Sequence, residues 1–311
     1  MSKPPKWDAM KDNYPVAETS KPSQDAAVQG KTMSAFLSGM RHGIRPRRIM
    51  NEQSQKRLLE LSAVVPEKPS FVKSAEDTRW QDLSIEAPGT RGTPTATKTA
   101  IDSDLGFSDA HAFDVLRTRL RQTAQEHGWT NIAVTAPTTG CGTTFTAVNL
   151  ALSLSRIAGS RSILMDFNMR NPGVAAAVDI QARGPLQEYL GGRTAMAEHL
   201  VRCSDTLALG LNSEPHELAA ETLQNATTIR TLQQMQSALQ PEIVIYDMPP
   251  MLAFDDVSAF LPHLDGVLLV SDGTQTTARQ LTECEQMLGG QVPLLGVVLN
   301  RARRSSIVRY T

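Results

Sequence analysis

The segment Ala136-Pro-Thr-Thr-Gly-Cys-Gly-Thr-Thr-Phe145 joins a short apolar run, Asn131–Thr135, to a helical pattern, Thr144–Arg156. Gly140 and Gly142 have no β-carbon, so the backbone there can approach an anion closely. The N–H groups that open the following helix carry the positive end of its dipole, and a phosphate is the ligand they suit. Thr139, Gly140, Cys141, Gly142, Thr143, Thr144 and Phe145 are the candidate binding residues. Two further apolar runs end in aspartate: Ser162-Ile-Leu-Met-Asp166, followed by Phe-Asn-Met-Arg-Asn-Pro172, and Ile243-Val-Ile-Tyr-Asp247, followed by Met-Pro-Pro250. A carboxylate at such a strand end can hold Mg²⁺, directly or through water, or accept a proton from an attacking hydroxyl. Thr144 offers a third oxygen to the metal. Each aspartate alone reads equally well as a turn or helix-cap residue, and the glycines alone as a turn before a core helix. The three segments together point to a nucleotide with its Mg²⁺.

These residues need a scaffold that brings strand ends to one edge. Asn131–Thr135, Ser162–Asp166, Ile243–Asp247, Gly266–Ser271 and Leu294–Asn300 are apolar on both faces, as strands of a parallel sheet covered by helices on each side must be. Helical stretches separate them, so the expectation is an α/β domain with a doubly wound, mostly parallel sheet spanning 106–302. Ligands of such sheets bind at the carboxyl ends of the strands. A first helix is expected from Ser108–Asp109, with Ala112, Phe113, Leu116 and Leu120 on one face.

Residues 1–105 differ in kind. They hold nine of the eighteen prolines and little hydrophobic periodicity, and they are expected to be a largely disordered linker. The exception is a short helix near 51–65, where Leu58, Leu59, Leu61 and Val65 share a face and would make either a transient helix or a docking segment. Residues 303–311 form an arginine-rich tail ending near Tyr310. The net charge of −1 over 311 residues argues against a nucleic-acid partner. Three widely spaced cysteines exclude a disulfide framework or zinc site and suit a reducing compartment. No stretch has the ~20 apolar residues of a spanning helix and no leader is visible, so a cytoplasmic location is expected, with any membrane association through a partner.

From about Asp109 to Arg301 the sequence resembles the catalytic domain of bacterial tyrosine kinases (BY-kinases) of capsule and exopolysaccharide synthesis, within the wider MinD/ParA-like P-loop group. His-Ala-Phe-Asp-Val-Leu-Arg-Thr-Arg-Leu120 resembles the family's opening helix. Gly140–Ala151 resembles its Walker A motif and following helix, Ile163–Pro172 its Walker A′ motif, and Ile245–Pro250 its Walker B motif. Gly184–Gly192, Asp265–Val270 and Leu295–Arg301 match its later elements in order. The resemblance implies a P-loop NTPase fold, ATP/ADP and Mg²⁺ as cofactors, self-association, and a membrane polysaccharide co-polymerase or other export protein as partner. It also implies contact of Asn300 with the adenine base and phosphorylation of a C-terminal tyrosine, here Tyr310.

The departures bear on activity. Thr143 stands where the family has its phosphate-binding lysine, and Asn168 where it has a second aspartate. Of the opening helix's charged pattern, read here as His111, Asp114 and Arg117, only the last position is kept. The last lysine in the chain is Lys98. Arg170 is the substitute nearest in sequence, and with Asp166 and Asp247 completes the candidate catalytic set. Removing one well-placed electrostatic donor costs on the order of 10²–10³ in rate. The expectation is therefore a nucleotide-binding regulator of polysaccharide synthesis or export with impaired phosphoryl transfer, acting on a co-polymerase or an active kinase. The alternatives are an active tyrosine autokinase and a positioning ATPase.

Overall fold

The computed structural model describes residues 78–89 and 107–302. The helix expected near 51–65, the tail 303–311 and Tyr310 lie outside them. The strands are β1 Asn131–Thr135, β2 Ser162–Asp166, β3 Val201–Arg202, β4 Leu207–Gly210, β5 Ile243–Asp247, β6 Gly266–Asp272 and β7 Leu294–Asn300. The helices are α1 Thr78–Asp82, α2 Phe107–His127, α3 Thr143–Ser155, α4 Val174–Val178, α5 Leu186–Leu190, α6 Met196–His199, α7 Ala219–Gln224, α8 Ala226–Leu239, α9 Asp256–Phe260 and α10 Ala278–Leu288.

The strands form one sheet in the order β3-β4-β2-β5-β1-β6-β7. Every neighbouring pair is parallel except β3 with β4. Side chains alternate between two cores, as the period of a strand requires. Ala133, Ile163, Met165, Val244, Tyr246, Val267 and Leu269 face one layer, with Met235 and Leu239 of α8 and Cys284 and Leu288 of α10. Ile132, Val134, Leu164, Ile245, Leu268 and Val270 face the other, with Val148, Leu150 and Leu154 of α3 and Leu120 of α2. Helices thus cover both faces, as the uniformly apolar strands anticipate. Tyr246 is part of this packing, its hydroxyl 3.1 Å from Asn131 Oδ1.

Two features differ from expectation. The two strands β3 and β4 were not anticipated, being only two and four residues long. More important, part of the expected linker is docked. Trp80 and Leu83 are buried, and Trp80 Nε1 donates to the Asp205 carbonyl at 2.9 Å. The Arg161 guanidinium lies 5.2 Å over the Trp80 ring. Glu86 N donates to Arg202 O and Arg202 N donates to Ser84 O, both at 2.8 Å, so residues 84–86 run along β3. One tryptophan and one leucine supply enough apolar area to hold a segment whose composition is otherwise that of a linker.

Candidate functional site

The site lies where β1, β2 and β5 end. Gly142 stands just before α3 at φ 91°, and no side chain caps the helix, so its opening N–H groups are not taken by a cap. Gly140 has φ 80°. A β-carbon on Gly142 would meet Asn300 Nδ2, so that side chain would have to turn away, and the backbone angle itself favours glycine. Met251 N donates to Ala136 O at 2.8 Å, and Thr135 Oγ1 to Pro249 O at 2.7 Å, fastening the start of the loop to the segment after β5. Cys141 is buried, with its Sγ 3.6 Å from the hydroxyls of Thr138 and of Thr276, and serves as a small packing residue. Thr139 is exposed, while Thr143, Thr144 and Phe145 are half-buried. Phe145 meets Phe113 of α2 edge to face, 6.0 Å between centroids.

Asp166 and Asp247 are direct register partners on β2 and β5 and both are fully buried. Asp247 Oδ2 accepts the Thr144 hydroxyl at 2.6 Å. Asp166 Oδ2 accepts the backbone N–H groups of Gly173 at 3.1 Å and Val174 at 3.0 Å. The other oxygen of each, Asp166 Oδ1 and Asp247 Oδ1, is buried with no protein partner. Burial pushes the Asp247 carboxyl up to about 7. Burial, and then the charge of Asp247, also raises Asp166 well above the ordinary carboxylate range. Two adjacent buried carboxyls, each with an unpartnered oxygen and with a threonine hydroxyl beside them, fit a hard divalent cation such as Mg²⁺. That ion uses one or two carboxylates and takes its remaining ligands from water and phosphate.

Arg170 is placed differently from its expected role. Its Nε and Nη2 donate to the two oxygens of buried Asp256 at 2.8 and 3.2 Å, and Nη1 donates to Glu217 O at 2.7 Å. Its guanidinium also lies 4.9 Å over the Phe254 ring. A bidentate pair with a buried carboxylate leaves Arg170 tied to the segment after β5, and a role on phosphate requires that pair to open.

Asn300 is held by the backbone of the loop. Its Nδ2 donates to Cys141 O at 2.8 Å, so its amide holds the phosphate loop from behind. Beside it, Arg301 Nη1 donates to Gly140 O at 2.7 Å and to Asp272 Oδ2 at 2.8 Å. Bonds led by those from Thr274 hold the Asp272 carboxyl down at about 2. Arg301, Asp272 and Asp256 were not among the candidates, because their partners lie 29 to 161 positions away and no local pattern marks them.

No family model matches the chain. A putative tyrosine-protein kinase EpsB from Ralstonia solanacearum is 29% identical over 190 residues, which are 60% of this chain and 24% of that protein. The chain thus spans about a quarter of that relative's length. Tyrosine-protein kinase YwqD of Bacillus subtilis is 25% identical over 204 residues, covering 65% of this chain and 85% of the relative. Succinoglycan biosynthesis transport protein ExoP of Rhizobium meliloti is 24% identical over 188 residues, 58% of this chain and 23% of that protein. Among solved structures, the kinase domain of Escherichia coli tyrosine kinase ETK aligns with TM-score 0.59 at 20% identity, over 73% of this chain and 91% of that one. The VpsO kinase domain aligns with TM-score 0.56 at 22% identity, over 62% and 96%. The structural likeness establishes the fold, and the sequence matches carry the kinship. The domain described here is similar in sequence to proteins named as bacterial tyrosine kinases, and it shares the α/β fold of the ETK and VpsO kinase domains.

Proposed function

We propose that this chain is a nucleotide-binding regulator of exopolysaccharide synthesis or export, with phosphoryl transfer impaired. The observation that carries the binding half is the pair of orphaned carboxylate oxygens, Asp166 Oδ1 and Asp247 Oδ1, beside an uncapped helix N-terminus. The backbone N–H groups from Gly140 to Phe145 would take the phosphates. Thr144, Asp166 and Asp247 would hold Mg²⁺, which when bound supplies charge neutralisation at the β- and γ-phosphate oxygens.

The impairment rests on charge. Thr143 occupies the lysine position, no lysine occurs among the described residues, and Arg170 is committed to Asp256. The backbone cradle does not need the lysine to bind. Transfer does need charge placed on the moving phosphoryl group, and its loss costs on the order of 10²–10³ in rate. The regulated process is read from one relative's name, a succinoglycan biosynthesis transport protein, and from the polysaccharide setting of the resembled family. A membrane polysaccharide co-polymerase or an active kinase is the partner this reading calls for. Among the described residues no helix is long and apolar enough to cross a membrane, so membrane placement would come through that partner.

The test uses the full chain. Mg·ADP and Mg·ATP binding is measured by calorimetry, followed by mass spectrometry of Tyr310 after incubation with Mg·ATP. Micromolar-to-millimolar binding without phosphate on Tyr310 is expected. Stoichiometric phosphate at Tyr310, lost in Asp247→Asn, would replace this reading by that of an active autokinase.

A further inference from the structure

The phosphate loop is gripped from its carbonyl side. Asn300 Nδ2 donates to Cys141 O and Arg301 Nη1 to Gly140 O, at 2.8 and 2.7 Å. A loop that turns its carbonyls outward onto these donors turns the alternate N–H groups inward, toward an anion. The grip is itself anchored. Arg301 Nη1 also reaches Asp272 Oδ2, and Asp272 is buried at the end of β6 with further bonds from Thr274 and Gln275. Gly273 N donates to Asn300 O at 2.8 Å, and a β-carbon on Gly273 would lie 3.1 Å from Ala302 Cα, so the end of β7 is locked against the turn after β6.

The backbone marks the same residue. Arg301 has φ 53°, in the left-handed region that a residue with a β-carbon avoids unless its surroundings require it. Its N–H is caught by Asn300 Oδ1 at 2.9 Å, and this turn is what aims the side chain back at Gly140. Strained residues of this kind persist where surrounding contacts over-determine them, and they gather at functional sites. The guanidinium is half exposed and lies beside the loop.

We propose that Asn300 and Arg301 are positioning residues that hold the lysine-less phosphate loop in its anion-binding form by fastening its carbonyl side to the end of β7. This rests on the nucleotide-binding reading above.

The experiment compares the full-length wild type with Arg301→Ala, Arg301→Gln and, as a control, Arg279→Ala on exposed α10. Two quantities are read: amide hydrogen exchange at 140–145 without ligand, and Mg·ADP affinity. Arg301→Ala is expected to speed exchange in the loop selectively and to weaken Mg·ADP about tenfold, the size of one charge-assisted bond. Arg301→Gln, which keeps a neutral donor, should restore part of both the loop's protection and the affinity relative to Ala. It decides the matter if the alanine variant does not fold. Unchanged loop exchange, or unchanged Mg·ADP affinity in a wild type that binds, would overturn the proposal. Selective loosening of the loop in a wild type that binds no ADP would support the grip and sink the nucleotide reading.

Discussion

Two carboxyl groups side by side at an apolar sheet edge favour their protonated forms until a cation joins them. Burial lifts the folded-state Asp247 to about 7, whereas an unfolded aspartate titrates near ~3.9. Both states are protonated well below ~4. As pH rises from ~4 through 7 the unfolded chain gives up its proton first, so the folded state binds more protons and the metal-free fold loses stability over that window. The thermal midpoint of the metal-free wild type should therefore fall by several degrees relative to Asp247→Asn between pH 5 and 8. Millimolar Mg²⁺ at pH 8 should restore it in the wild type only. A midpoint difference that does not change with pH would refute this account of the pair. Gly142→Ala should weaken Mg·ADP binding about tenfold or more, since its β-carbon displaces the Asn300 amide on a backbone of φ 91° that only glycine adopts freely. At Arg170 two roles separate cleanly. As the partner of buried Asp256, its replacement by alanine should cost on the order of 3 kcal/mol in urea denaturation while leaving nucleotide affinity intact. Weaker binding at unchanged stability would return Arg170 to the phosphates. The glycines and strand-end aspartates could be read in the sequence because their chemistry is local. The orientation of Asn300 toward Cys141, and of Arg170 toward Asp256, depends on contacts 86 to 159 positions distant, which spacing does not encode.

At the level of elements, α3 starts without a side-chain cap, as do the short helices α4, α5, α6, α7 and α9, whereas α8 and α10 are capped. Asn225 accepts from Thr227 N at 2.8 Å, and Thr277 with Gln280 forms a capping box. Caps stabilise helix ends by about 1 kcal/mol, so the bare end at the site is a stability cost placed where an anion would bind. α2 lies on α3 through Asp114, which accepts Ser153 Oγ at 2.8 Å and also pairs with Arg156 and Arg117. The five long strands and the flanking helices were legible because apolar runs and helical spacing are strong signals. β3, β4 and the docked stretch 78–89 were not, since each is short and acquires its partners only in the fold. Trp80→Ala should cost about 3–5 kcal/mol by chemical denaturation, as expected for emptying a buried aromatic site that also holds the Asp205 bond. A loss below about 1 kcal/mol would mean that the segment rests on the surface without contributing.

For the molecule as a whole, the ligand edge and the β3 edge are separate parts of one sheet. The first gathers the ends of β1, β2, β5 and β7 with the turn after β6. The second is finished by residues from ahead of the domain. A fragment of 90–311 should accordingly melt lower than one of 78–311, with Mg·ADP affinity nearly the same in both at temperatures where both are folded. Equal midpoints would show that the docked stretch is dispensable. The bonds between residues 84–86 and Arg202 have one more result. Without them, the backbone groups of β3 on that side would face solvent. Removing residues 78–89 should thus speed amide exchange at Arg202, whose N–H is held by Ser84 O, so the same short stretch acts as a clasp on the end of the sheet.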